Sequence, residues 1–161
     1  MTASSDISDY EDADEADLLR LVRELQRHES QYYDRMIDPE TISGWYVDDL
    51  RKQCREFDGR IRVVRVDGRI AGYSTVLTRC VNEEPDELDF SYCLVGDLSV
   101  EANMRGKGLG RALLEDAEII ARQTGARWLR ISVLAGNALA REVYTRYGFR
   151  EHLVEMEKPL T

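Results

Sequence analysis

Between positions 105 and 111 the chain reads Arg-Gly-Lys-Gly-Leu-Gly-Arg, three alternating glycines and three cations in seven residues. The β-rich stretch Phe90 to Val100 precedes it, and Leu109, Ala112, Leu113, Ala117 and Ile120 follow at helical spacing. The sequence therefore predicts a strand, a glycine loop and a helix in immediate succession. The glycines remove every Cβ that would keep a ligand off the backbone. The first-turn amides of the helix lack internal partners, and its dipole adds partial positive charge. With Arg105, Lys107 and Arg111 beside them, these amides suit a pyrophosphate.

Three phosphate-binding patterns compete. A P-loop needs GxxxxGK followed by Ser or Thr, which is absent. A dinucleotide fingerprint needs GxGxxG, but position 111 is Arg, and no acidic residue ends the following strand, around Ile131 to Leu134. The third pattern, R-G-x-G-x-G, matches in full. The bland alternative is a glycine-rich turn that holds nothing.

Around this unit the periodicity predicts one domain. Leu18, Leu21, Val22 and Leu25 mark an amphipathic helix over Ala16 to Glu29. Ile42, Tyr46, Leu50, Cys54 and Phe57 mark a second, ended by Asp58-Gly59. Arg60 to Val66 and Arg69 to Leu77 read as strands joined by Asp67-Gly68, a type I′ hairpin turn. Glu83 to Asp89 reads as an acidic loop. After the glycine-loop helix, stopped by Gly125, come a strand over Trp128 to Leu134, a helix over Asn137 to Tyr147 and a final strand over Phe149 to Glu157. The order is α+β, a mixed, mostly antiparallel sheet flanked by helices. Residues 1–15 read as an acidic tail or a short first strand, with Ile7 and Tyr10 its only apolar candidates, and residues 16–161 as the domain.

Composition narrows the partners. The net charge is −9, and positions 1 to 17 hold seven acidic residues and no basic one. That balance disfavours nucleic acid and is compatible with a cationic substrate. No apolar run reaches the roughly 18 to 20 residues of a membrane span. The first residues lack the basic start and apolar stretch of a signal peptide. Cys54, Cys80 and Cys93 form no CxxC pair, and His28 and His152 are far apart, so no metal site is expected. Three reduced thiols fit a cytoplasmic protein.

Leu98-Ser99-Val100 followed by the Arg105 to Arg111 segment resembles the acetyl-coenzyme A binding motif of the GNAT superfamily of N-acetyltransferases. Asn137 to Phe149, with its Asn, Tyr and terminal Gly148-Phe149, is similar to that family's second signature. The resemblance runs from about Ala16 to Leu160. It implies splayed parallel strands in mid-sheet with acetyl-CoA as cosubstrate between them, and direct attack by a primary amine, a small cationic amine or a protein amine. Two other readings stay open: an acyl-CoA-binding regulatory module without catalysis, and transfer of a longer acyl group.

The resemblance implies that Leu98, Ser99 and Val100 present a strand edge to the pantetheine arm, and that Arg105, Gly106, Lys107, Gly108, Leu109, Gly110 and Arg111 hold the pyrophosphate. Asn137 is either a helix N-cap or a hydrogen-bond partner of the cofactor. Tyr144, with an ordinary pKa of about 10, is the candidate general acid for the leaving thiolate, and Tyr147 its backup. Asp97 either takes the amine proton through water, orients a cationic acceptor or faces solvent. Gly96-Asp97 stands where diamine acetyltransferases carry Glu-Asp, so the Glu is missing. Acceptor walls are expected from Ser30 to Asp38, with Tyr32, Tyr33, Arg35 and Met36. A final strand left exposed is one that a second subunit, in a homodimer, would cover.

Overall fold

The computed structural model describes residues 6–161. A short strand β1 (Asp6–Asp9) leads through a 3-10 turn into α1 (Glu15–Glu29) and then α2 (Gly44–Glu56). A meander follows: β2 (Arg60–Val66), β3 (Arg69–Val81) and β4 (Ser91–Val100). After the glycine loop come α3 (Leu109–Gln123), β5 (Leu129–Ile131) and α4 (Ala138–Tyr147). The sheet order is β1-β2-β3-β4-β5, antiparallel except for the parallel pair β4 and β5. This is the expected α+β architecture.

Each face of the sheet has its own helical cover. Ile61, Val63, Ile70 and Tyr73 pack on one face against Leu18, Leu21 and Val22 of α1 and Val47 and Leu50 of α2. Val64, Val76, Val95 and Val100 meet Leu109, Leu113, Ala117 and Ile120 of α3 on the other. These are the two sets selected by a period of two in the strands and 3.6 in the helices. Asp67 and Gly68 both have positive φ, 51° and 79°, as a type I′ turn demands. β1 lies on the outer edge of β2, with Ile7 opposite Val64 and the Asp9 carboxylate 2.7 Å from Arg62.

The expected final strand is absent. From Phe149 to Thr161 the chain has no regular structure, and Leu153, Val154 and Met156 are exposed. A strand needs a partner edge, and β5 is only three residues long. Charged residues between the apolar ones tie the segment down instead. Glu151 pairs with Arg141 of α4, and Glu157 lies 2.7 Å from Arg35. No helix among the described residues is long and apolar enough to cross a membrane. Nor does any cluster of His, Cys, Asp and Glu side chains among them form a metal-binding group.

Candidate active site

The parallel pair expected in mid-sheet stands at one edge of the described sheet, and its two strands part company early. β4 and β5 pair only over Cys93–Val95 and Leu129–Ile131, so from Gly96 to Val100 no fifth strand lies against β4. The open edge runs directly into the glycine loop. There Gly106 and Gly108 have φ of 74° and 86°, and a Cβ on either would meet no atom within 4 Å. Gly108 is the N-cap of α3, with φ in the left-handed region that glycine alone enters without penalty. The amides of Leu109, Gly110 and Arg111 open the helix beneath that space. An open edge, a Cβ-free hollow and unpaired amides fit an extended ligand with an anionic end.

The three cations do not act alike. Arg105 turns back into the fold: its Nε donates to the Val100 carbonyl at 3.0 Å, and its guanidinium lies 3.5 Å from Glu24 of α1. Glu24 also accepts from the Ala102 amide at 2.7 Å, so this pair shapes the loop from behind. Lys107 is exposed, with the Met104 sulfur its one hydrogen-bond partner among the described residues. Arg111 is exposed and forms a surface pair with Glu115 one turn on, an arrangement worth little in water.

Leu98 and Val100 pack toward α3, while Ser99 faces the α1 and α2 side with a buried hydroxyl that has no partner. Asn137 caps α4, its side chain accepting from the Ala140 amide at 3.2 Å.

Asp97 owes its position to a bulge. Ser74 faces Leu98 and Val76 faces Val95, so two steps on β3 span three on β4. The extra residue breaks the ladder at Gly96-Asp97. The Asp97 amide is satisfied by the Thr75 hydroxyl at 2.8 Å. Its carboxylate is turned toward the helices, where Oδ2 accepts from the Tyr73 hydroxyl at 2.9 Å and the Tyr46 hydroxyl at 3.1 Å. Oδ1 takes no partner among the described residues. Burial pushes the Asp97 carboxyl above the ordinary range, although both tyrosines favour its ionised form and pull it partly back. Gly96 is obligatory here, because any Cβ would stand 2.7 Å from the Thr75 hydroxyl.

Tyr144 comes from the other side of the gap. It is half-buried, its ring edge-on to Phe149 at 6.0 Å. Burial and the charge of Glu29 push its phenol up to about 12. Tyr147 is tied to α3, donating to Glu118 at 2.8 Å. The loop after β5 meets the loop after α1, since a Cβ on Gly136 would stand 3.3 Å from the Tyr32 ring.

Residues 19–149 match the acetyltransferase (GNAT) family. The chain belongs to this family. The streptothricin acetyltransferase of Streptomyces lavendulae is 35% identical over 86 residues, 53% of this chain and 41% of that protein. The chain thus spans less than half the length of that curated relative. Among solved structures, the BH1408 protein of Bacillus halodurans superimposes with a TM-score of 0.85 at 19% identity, over 97% of this chain and 99% of that one. The aminoglycoside N-acetyltransferase AAC(6')-Iy, in complex with a bisubstrate analogue, gives 0.72 at 14% identity over 98% and 99%.

The structure of this GNAT family member adds residues that sequence reasoning missed. Tyr46 and Tyr73 hold Asp97 from 51 and 24 positions away. Thr75 fixes its amide, and Glu29 lies close enough for its charge to act on Tyr144. Nothing in the local sequence around these residues announces the role.

Proposed function

We propose that this protein transfers the acetyl group of acetyl-CoA to a primary amine by direct attack, without a covalent enzyme intermediate. The observation that carries the reading is the continuity of the open β4 edge with the Cβ-free hollow over Gly106 and Gly108. The amides of residues 109 to 111 would hold the pyrophosphate, with Lys107 and Arg111 beside it. The edge from Gly96 to Val100 would pair with the pantetheine arm. The bound cosubstrate supplies an acyl group activated as a thioester.

The chain's own groups then divide the proton work. Asp97 Oδ1 is the free oxygen of an otherwise anchored carboxylate, and it accepts a hydrogen bond from the acceptor amine and receives its proton through water. Tyr144, which keeps its phenolic hydrogen throughout the neutral range, donates from Oη toward the departing thiolate. The related streptothricin acetyltransferase and the fold neighbour bound to a bisubstrate analogue support an amine acceptor.

Thermal stability with and without acetyl-CoA tests the reading. At a hundred times Kd the ligand should add about 2.7 kcal/mol. Gly108→Glu, which fills the hollow, should abolish that shift, with its own ligand-free melting as reference. The absence of any shift at millimolar acetyl-CoA would overturn the assignment.

A further inference from the structure

Two stretches of the chain that carry strand patterns stay unpaired, and one groove lies between them. β5 ends the sheet and pairs with β4 alone among the described residues. The sequence predicts a strand over Trp128 to Leu134, yet only Leu129–Ile131 forms one. Phe149 to Glu157, predicted as the next strand, forms none. A strand with a vacant edge keeps a row of unpaired N–H and C=O groups, a template for another strand. The helix between the two stretches shares the deficit. No residue of α4 is buried, and its Leu139 and Val143 are exposed.

The C-terminal segment runs beside β5 without joining its ladder. At the start of β5, Phe149, Arg150 and Leu153 line the same groove as Trp128, Leu129 and Arg130. At the other end Glu157 meets Arg35 in the loop after α1. That loop touches the one after β5 through Tyr32 and Gly136. Segment and strand therefore point the same way, and a groove of about 1550 Å³ opens between them. Small-ligand pockets hold about 300 to 1,000 Å³, so this one has the scale of a length of chain. Contacts with α4 hold the segment off: Phe149 packs on Tyr144 and Tyr147, and Glu151 pairs with Arg141.

We propose that the same segment of a second copy of this chain fills the groove. A two-fold axis normal to the sheet sets the two segments side by side and antiparallel. The incoming segment is then antiparallel to β5 as well, so both its edges meet the more stable ladder and β5 loses its open edge. The two sheets become one, running from β4 and β5 through the incoming and resident segments to the β5 and β4 of the second copy. The contact is self-complementary, because each copy supplies both a groove and its filler. The chain's own segment could enter only parallel to β5, and only by leaving α4. Reversed entry also carries Lys158 of the partner subunit toward Glu83, Glu84 and Glu87, which line the groove. The inference stands independently of the acetyltransferase reading.

Sedimentation velocity at concentrations up to about 100 μM should show a species of twice the 18.5 kDa chain mass. An inserted strand uses both edges, so each of its amides stands in a ladder. Val154 is 68% exposed in the single chain, and Val154→Pro removes one such donor without touching the core. That variant should sediment as a monomer. Leu153→Glu, which leaves the backbone donors in place, should weaken association at least about tenfold by burying a charge. Hydrogen exchange locates the contact: amides of residues 129–131 and 150–157 should be protected in the native protein and exchange freely in Val154→Pro. A native protein that stays monomeric overturns the proposal, as does a dimer that survives both substitutions. A dimer whose 150–157 amides exchange freely, or a monomer in which they are protected, overturns it equally. The first would place the interface elsewhere, and the second would put the chain's own segment in the groove.

Discussion

Tyr73 donates its phenolic hydrogen to Asp97 Oδ2 at 2.9 Å from a position with no solvent exposure at all. The bond favours the ionised carboxylate and opposes the desolvation that pushes Asp97 upward. In Tyr73→Phe the carboxyl should hold its proton to higher pH. In the proposed role Asp97 must be ionised, so the acidic limb of kcat/KM should then move upward by about one unit, the scale of one hydrogen bond to a charged group. A pH–rate profile checks this, and an unmoved limb would detach Asp97 from turnover.

Glu29 gives a stability prediction of definite sign. Burial, then the charge of Asp97, raises its native pKa above the unfolded value. Such a group is least costly to the fold at low pH, and its penalty grows as pH rises through the native value. Glu29→Gln should therefore melt higher at pH 7, by about 1 to 4 °C, from relief of the helix-end charge alone. The advantage should vanish below about pH 4, where Glu29 is protonated folded and unfolded alike. Melting curves of both proteins across that range decide the matter.

Gly96 should not tolerate even one methyl group. Thr75 is 2% exposed, and its hydroxyl sits 2.7 Å from where a Cβ would go. Gly96→Ala is expected to lose about 1 to 3 kcal/mol, as overpacking does elsewhere. It should also lower kcat by turning Asp97 away, measured by denaturant unfolding alongside steady-state rates.

Arg105 and Lys107 should separate cleanly, although both stand in the same glycine segment. Arg105→Gln breaks the ties to Val100 and Glu24 and should cost about 1 to 2 kcal/mol of stability. Lys107→Ala should leave stability unchanged. It should weaken acetyl-CoA binding by an amount that shrinks as salt is added, since an exposed cation acts through a screened field. Melting and binding measured at low and high salt distinguish the two.

Tyr144→Phe should leave acetyl-CoA binding and the packing against Phe149 intact while kcat falls by roughly 10² or more. A rate unchanged across several amine acceptors would remove Tyr144 from the proton path.

Much of this was legible in the sequence because the features are local. Asp67-Gly68 specified its turn, Asn137 its cap, and the glycine segment both its loop and the start of α3. The hidden features lie across the sequence. No periodicity tells that Tyr46 and Tyr73 converge on Asp97, or that the end of α1 approaches Tyr144. Apolar residues misled where Leu153, Val154 and Met156 suggested a strand, because pattern describes a face and not the partner edge that a strand needs.

The five strands lie in space in the order in which they are synthesised. During translation β2, β3 and β4 emerge one after another, after α1 and α2, so Tyr46, Tyr73 and Asp97 can meet once residue 100 has left the ribosome. The glycine loop and α3 follow roughly 1 to 5 s later at ordinary elongation rates. The half of the molecule that holds Asp97 and its two tyrosines can thus assemble first, and the glycine loop with α3 is then laid against a surface already in place.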